Sequence, residues 1–324
     1  MRAAIGRRQD VVGDDARRRR AAELIGACSI EITPREELAG EGLPELLDPG
    51  TRVFVNHPAS VTHHDIVAAC VKLQRAGFIP VPHIAARRLA SFTQARDFLQ
   101  RATGEAGVGS VLLIGGDSDH PVGPFPGSFD LLATGVVESH GINEVIFAGY
   151  PEGHPRIDTH ALDAALDAKT ALAQQRGLDV SLITQFGFEP EPIHRWIASL
   201  RARGSGCRVE IGVAGPANVA TLAKFAFRCG VGASLRALAR GHTAFARIIA
   251  EATPDTFIAS LVAGEDAGAP LDGLHLFTFG GVRRTAQWLR ALSHSLMSFR
   301  DGPEGQARND MNTGPSRIFT GPCC

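Results

Sequence analysis

Seven residues stand out for the chemistry their types allow: Glu31, Asn56, His83, Asp117, Tyr150, His154 and Gln185. Most of them close or follow an apolar run. Glu31 lies in GACSIEITP, Asn56 follows RVFV, His83 sits in FIPVPHI, and Asp117 follows SVLLIGG. Tyr150 follows VIFAG, His154 stands four residues further in YPEGHP, and Gln185 follows SLIT. Carboxylates and imidazoles can hold or release a proton, and the phenol and the amide both donate and accept hydrogen bonds. Taken singly, each has a plain structural explanation. An acid in a strand usually faces water, a histidine can be a satisfied core group, and an amide can finish a strand end. Together they have the composition of a small-molecule pocket, and Tyr150, the chain's single tyrosine, belongs to the set. His83, Asp117 and His154 are also zinc-ligand types, but no HxH or HExxH spacing supports a metal, and none is expected.

These residues converge only if the elements that carry them do. Eight strand-like runs are legible, over 26–34, 52–56, 78–84, 110–116, 144–149, 180–186, 208–213 and 274–279. Helical patterns alternate with them, over 35–47, 62–75, 91–106, 128–140, 158–176, 189–203, 218–229, 234–252, 256–263 and 283–296. Eight βα repeats predict an α/β fold, a (β/α)8 TIM barrel with extra helices between strands 7 and 8. Such a barrel gathers residues from the C-terminal ends of different strands at one face. The rival doubly wound sheet would bring a glycine-rich first turn for a dinucleotide, and no GxGxxG or Walker motif is present. The expected organisation is a basic arm over 1–20, one catalytic barrel over 21–299 and a flexible tail over 300–324.

Composition narrows the partners. The 324 residues carry 33 Lys+Arg against 34 Asp+Glu, which gives no electrostatic case for nucleic acid or an anionic membrane. No apolar run approaches the ~20 residues of a membrane span, and no secretory h-region follows Met1. Six cysteines form no CxxC and no metal spacing, and four of them sit in apolar elements as small core residues. A cytoplasmic enzyme is the default expectation. Outer helices could pair copies of the chain, but no exposed apolar stripe announces a homo-oligomer.

The ordered set SIEITP, PHI, LLIGGD, AGYPEGHP and LITQFGF resembles the methylenetetrahydrofolate reductases, flavin-dependent TIM-barrel enzymes of one-carbon metabolism. The resemblance spans roughly 27–291 and follows the compact bacterial type. It implies reduction of 5,10-methylenetetrahydrofolate to 5-methyltetrahydrofolate, with NADH or NADPH as reductant and FAD as the carrier. It also implies roles. Glu31 would be the general acid that opens the bridged folate, and Asp117 the carboxylate beside flavin and pterin. Gln185 would hold the pterin. Asn56, His83, Gly116, Tyr150 and His154 would contact the flavin, and Lys169 would lie near its phosphates.

The chain departs from the family pattern at Gly115-Gly116 before Asp117, at Asn56-His57-Pro58, at Gly187 and in LFTFGGVRR of the eighth strand. The last of these falls where the folate tail would lie. A flavin barrel acting on another C1 carrier, or a non-catalytic folate- or flavin-binding partner protein, is the alternative.

Overall fold

The computed structural model describes residues 15–34, 43–229, 231, 253–265 and 269–298. The helix expected over 234–252, the tail over 300–324 and most of the arm lie outside the described residues. Eight strands close a barrel in chain order: β1 (Ser29–Ile32), β2 (Arg52–Val55), β3 (Ile79–Ala85), β4 (Ser110–Ile114), β5 (Glu144–Gly149), β6 (Asp179–Phe186), β7 (Arg208–Ala214) and β8 (Gly273–Phe277). Every neighbouring pair is parallel, including β8 with β1. The expected (β/α)8 barrel is therefore the fold.

Ten helices are described. They are α1 over 15–26, α2 (Leu43–Leu46), α3 (His63–Arg75), α4 (Phe92–Ala106), α5 (Ser128–Ala133), α6 (Thr159–Gln175), α7 (Pro190–Ala202), α8 (Val219–Cys229), α9 (Pro254–Ala263) and α10 (Val282–Ser298). Their starts follow local chemistry. Thr62 and Asp65 form a reciprocal capping box on α3, Ser91 and Asp158 cap α4 and α6, and Thr253 caps α9 just before Pro254. The helix read over 128–140 is shorter than expected. It stops at Ala133, and Gly135 (φ 77°) turns the chain before a 3₁₀ turn over Glu138–His140. Part of the segment read as an arm is helical from residue 15. There Arg20 grips Glu265 through Nε (2.9 Å) and Nη2 (2.7 Å) and also bonds the Leu271 carbonyl. No described helix is long and apolar enough to cross a membrane.

Among the described residues the buried apolar side chains form three clusters, one joining α8 to the strand ends at Phe186 and Ala214 and two set by strand alternation. Outward residues such as Ile30, Val53, Leu113, Phe147, Val209 and Leu276 pack under the helices in one large cluster. Inward residues stack in layers. The middle layer is apolar, formed by Phe54, Val81, Leu112, Ile146 and Ile183. Below it lies a charged floor. Arg52 spans Glu210 (Nη1 to Oε1, 3.2 Å) and Glu144 (Nη2 to Oε2, 2.8 Å), and Ser181 donates to Glu144 (2.6 Å). Two buried histidines, His83 and His275, meet the Phe54 ring of the apolar layer edge-on. His275, from β8, is wholly buried, its ring centroid 4.8 Å from that of Phe54.

Candidate active site at the barrel mouth

Glu31 is the centre of the site. It is inward-facing on β1, and its backbone carbonyl is held by the Thr278 hydroxyl (2.7 Å) in the loop after β8. Asn56 Nδ2 donates to Glu31 Oε1 (3.2 Å) from the end of β2. His83 Nε2 on β3 and His275 Nε2 on β8 face Glu31 Oε2 at 3.5 and 3.7 Å. Four strands thus supply one carboxylate, one amide and two imidazoles. Burial works to raise the Glu31 pKa, but His83, His275 and Asn56 outweigh it, so the carboxyl lies below its ordinary range. Burial depresses His83 to about 4, in spite of the opposing pull of Glu31.

His275 continues the chain of contacts downward. Its Nδ1 lies 2.9 Å from Ser29 Oγ, and Ser29 Oγ in turn donates to Glu210 Oε2 at 2.5 Å. Glu31 is thereby connected through His275 and Ser29 to the charged floor. Sequence reading assigned no role to His275, Glu210 or Arg52. The alternation of LHLF, which places His275 inward with Phe277, is the signal that could have singled it out.

Asp117 lies elsewhere on the rim. It is half-exposed in the loop after β4 and is clamped by Arg88 and Arg228. Burial would raise its carboxyl pKa, but the two guanidiniums prevail and lower it. Among the described residues, no hydrogen bond or ion pair joins Asp117 to Glu31. Gly116, beside it, has φ 93°, and a Cβ there would come within 3.2 Å of Ala85. Tyr150 and His154 meet edge-on, with ring centroids 5.3 Å apart, and burial raises the Tyr150 pKa. Gln185 Nε2 donates to the Gly153 carbonyl (3.3 Å), which ties β6 to the same YPEGHP loop. Lys169 is not brought to the mouth group. It lies between α6 and β5, with its ammonium 4.9 Å over the Phe147 ring, and burial lowers its pKa to about 8.

The position of Gln185 depends on an irregularity. The β6–β7 register shifts between Ile183 and Phe186, and Thr184 Oγ1 accepts the Gly212 N–H (2.8 Å). The two backbones approach so closely that a Cβ on Gly212 would lie 2.4 Å from the Thr184 carbonyl oxygen. Glycine is the residue that permits this approach.

α8 extends across the mouth. Arg228 reaches Asp117, Phe225 stacks on Phe279 (4.2 Å), and the Cys229 thiol, its pKa raised chiefly by burial, also feels the charge of Glu31. Beside it, a cavity of about 310 Å³ opens between β7, α8, α9 and α10, with Phe188, Leu222, Phe257, Arg284 and Trp288 among its walls.

Among the described residues, one set of metal-ligand types converges outside the barrel: His63, His64 and Asp97, with ligand atoms within 4.8 Å of one another. Its hydrogen bonds leave no vacant lone pair for an ion at His63. The Ala90 N–H fixes Gln94 Oε1 (2.6 Å), so Gln94 Nε2 donates to His63 Nδ1 (3.2 Å). His63 Nε2 then carries the ring proton and gives it to Asp97 (3.0 Å), while the Arg101 guanidinium occupies His64 Nδ1.

No family model matches the chain. An uncharacterised protein from Clostridium thermocellum, whose structure binds two copies of 5-methyl-5,6,7,8-tetrahydrofolic acid, is similar in fold with a TM-score of 0.50 at 10% identity, covering 84% of this chain and 96% of that one. Dihydropteroate synthase from Thermus thermophilus aligns with a TM-score of 0.46 at 15% identity, over 84% of this chain and 92% of that one. At these identities the likeness concerns the barrel alone.

Proposed function

We propose that the mouth binds a reduced folate, and that the chain reduces 5,10-methylenetetrahydrofolate to 5-methyltetrahydrofolate using NAD(P)H and FAD. The observation that carries this reading is a pair of buried polar atoms without hydrogen-bond partners among the described residues, Asn56 Oδ1 and Gln185 Oε1. Each such atom costs about 1–3 kcal/mol while it stays unsatisfied. A ligand with donors and acceptors along a ring edge relieves that cost. A pterin has such an edge, and so does the pyrimidine ring of a flavin, so the residues fit both. The sequence motifs point the same way, and the Clostridium thermocellum barrel that holds a methylated reduced folate supports the choice of ligand class.

In this reading Asn56, His83, Gly116, Asp117, Tyr150 and His154 hold FAD, and Lys169, packed over the Phe147 ring away from the mouth, takes no part. FAD, when bound, supplies the two-electron carrier between nicotinamide and folate. The protein's own share is orientation and protons. Gln185 Oε1 accepts from the pterin, and Glu31, held ionised in the free protein by the two imidazoles and Asn56, must first take up the proton that it delivers to the folate nitrogen whose bond to the bridging carbon opens. Positioned acid–base catalysis of this kind is worth about 10²–10⁴ in rate. The Phe225–Phe279 stack arises where the chain departs from the family pattern, which favours a changed tail on the ligand and keeps a different C1 carrier as the second reading.

The test is anaerobic. Purified protein loaded with FAD should be bleached by NADH or NADPH and recoloured by methylenetetrahydrofolate. Glu31→Gln should keep the bleaching and lose the recolouring. Protein that takes up no FAD would sink the reductase reading, and equal loss of both half-reactions in Glu31→Gln would remove the proton-donor role.

A further inference from the structure

We propose that Glu210, on the barrel floor, is a positioning residue that sets the tautomer of His275 and thereby the proton available to Glu31. The proposal rests on the mouth being a proton-transfer site. Its structural core, however, can be tested without any substrate.

Hydrogen-bond direction fixes the tautomer. Glu210 is almost fully buried and sits between two guanidiniums, with Arg52 Nη1 at 3.2 Å and Arg208 Nη2 at 3.5 Å from Oε1. Ion-paired in this way it is a carboxylate, which can only accept. The 2.5 Å contact with Ser29 therefore uses the single hydroxyl proton of Ser29, and the Leu274 carbonyl at 3.5 Å is a far weaker competitor. With its proton committed, Ser29 Oγ can meet His275 Nδ1, 2.9 Å away, only as an acceptor. Nδ1 must then carry a hydrogen.

The consequence falls on the other nitrogen. A neutral His275 with Nδ1–H turns a bare Nε2 lone pair toward Glu31 Oε2 at 3.7 Å. A carboxylate there would set lone pair against lone pair, so the pair retains one proton, held by Nε2 or by Glu31. That proton is exchangeable. Resting on Nε2 or on Glu31, it passes through Glu31 to a substrate nitrogen and leaves His275 neutral with Nδ1–H intact. The opposite tautomer has no such reserve. There Nε2–H would donate to a Glu31 carboxylate, and giving up that hydrogen would leave an imidazolate. Glu210, linked to Glu31 only through Ser29 and His275, decides which arrangement exists.

Glu210→Gln reverses the direction at nearly constant shape. Arg52 would orient the new amide with its oxygen outward to the guanidinium and its NH₂ toward Ser29. Ser29 would then accept from the amide and donate its hydroxyl hydrogen bond to the bare His275 Nδ1. The experiment is nitrogen NMR of protein labelled with ¹⁵N-histidine, above neutral pH, with the His275 signals identified by their loss in His275→Gln. The wild type should show a protonated Nδ1, whether the ring is neutral or cationic. Glu210→Gln should show a bare Nδ1 and a protonated Nε2, and its folate half-reaction should fall at least about tenfold while flavin reduction by nicotinamide is kept. If Glu210→Gln does not fold, Ser29→Ala, which also removes the acceptor at Nδ1, should produce the same tautomer change. A bare Nδ1 in the wild type overturns the proposal, as does a folded Glu210→Gln with an unchanged spectrum. A protonated Nδ1 in a protein that never turns over folate would refute the reductase reading and leave the role of Glu210 standing.

Discussion

His57 offers the clearest quantitative test of how this barrel is held together. It follows Asn56 at the end of β2, is buried, and its Nδ1 accepts the Ala85 N–H at 3.4 Å. Burial first, then the charges of Arg88, His83 and His63, lower its pKa from 6.5 to about 4. Unfolded chains therefore take up a proton at His57 near pH 6.5, whereas the native protein resists until about pH 4. Proton uptake by the unfolded state alone destabilises the fold as pH falls through that window. The contribution of His57 is intact above pH 6.5 and is lost progressively below it. From the two values, the loss is about 2 kcal/mol at pH 5 and about 3 kcal/mol at pH 4. The assay is urea denaturation at a series of pH values, comparing wild type with His57→Gln, which keeps an acceptor for Ala85 and cannot titrate. The variant should lose less stability between pH 7 and 4 by about the calculated 3 kcal/mol. Carboxylates that titrate in the same range cancel in the difference. Parallel stability curves for the two proteins would refute the assignment of a buried, neutral His57.

Two further substitutions probe the elements around the site. Gly212→Ala puts a Cβ 2.4 Å from the Thr184 carbonyl oxygen and 2.8 Å from the backbone of Gln185. Backbone must move, so a loss of about 1–3 kcal/mol is expected, read as a fall in urea midpoint. An unchanged midpoint would mean that the β6 irregularity is absent. Arg20→Ala removes a forked pair with Glu265 and a bond to the Leu271 carbonyl, and should cost about 1–2 kcal/mol, less at high salt. No loss at low salt would show that α1 is not fastened there.

The barrel itself was legible because its signal is repeated and local. Eight apolar runs separated by helical periods leave little choice of architecture, and the capping residues Thr62, Ser91 and Asp158 mark helix starts within the sequence. The helix over 128–140 was overextended because its apolar period continues through Val136-Val137, while Gly135 breaks it by adopting φ 77°. Glu31, Asn56 and His83 could be singled out from their strand ends, but His275 could not. Asp117 and Glu31 are both strand-end acids in sequence, yet one lies between two arginines and the other among two imidazoles and an amide.

What the sequence determined by itself is the order of elements and the residue types delivered to each strand end. Tertiary structure alone decided which of them meet. Closure pairs β8 with β1, so His275 lies against Ser29 and Glu31 across a separation of most of the chain. No local pattern encodes that distance. The same closure sets Arg52 between Glu144 and Glu210, three residues that stand far apart in sequence and in the barrel form its floor. What a carboxyl group can do depends on what faces it, and what faces it is fixed by the circle of strands.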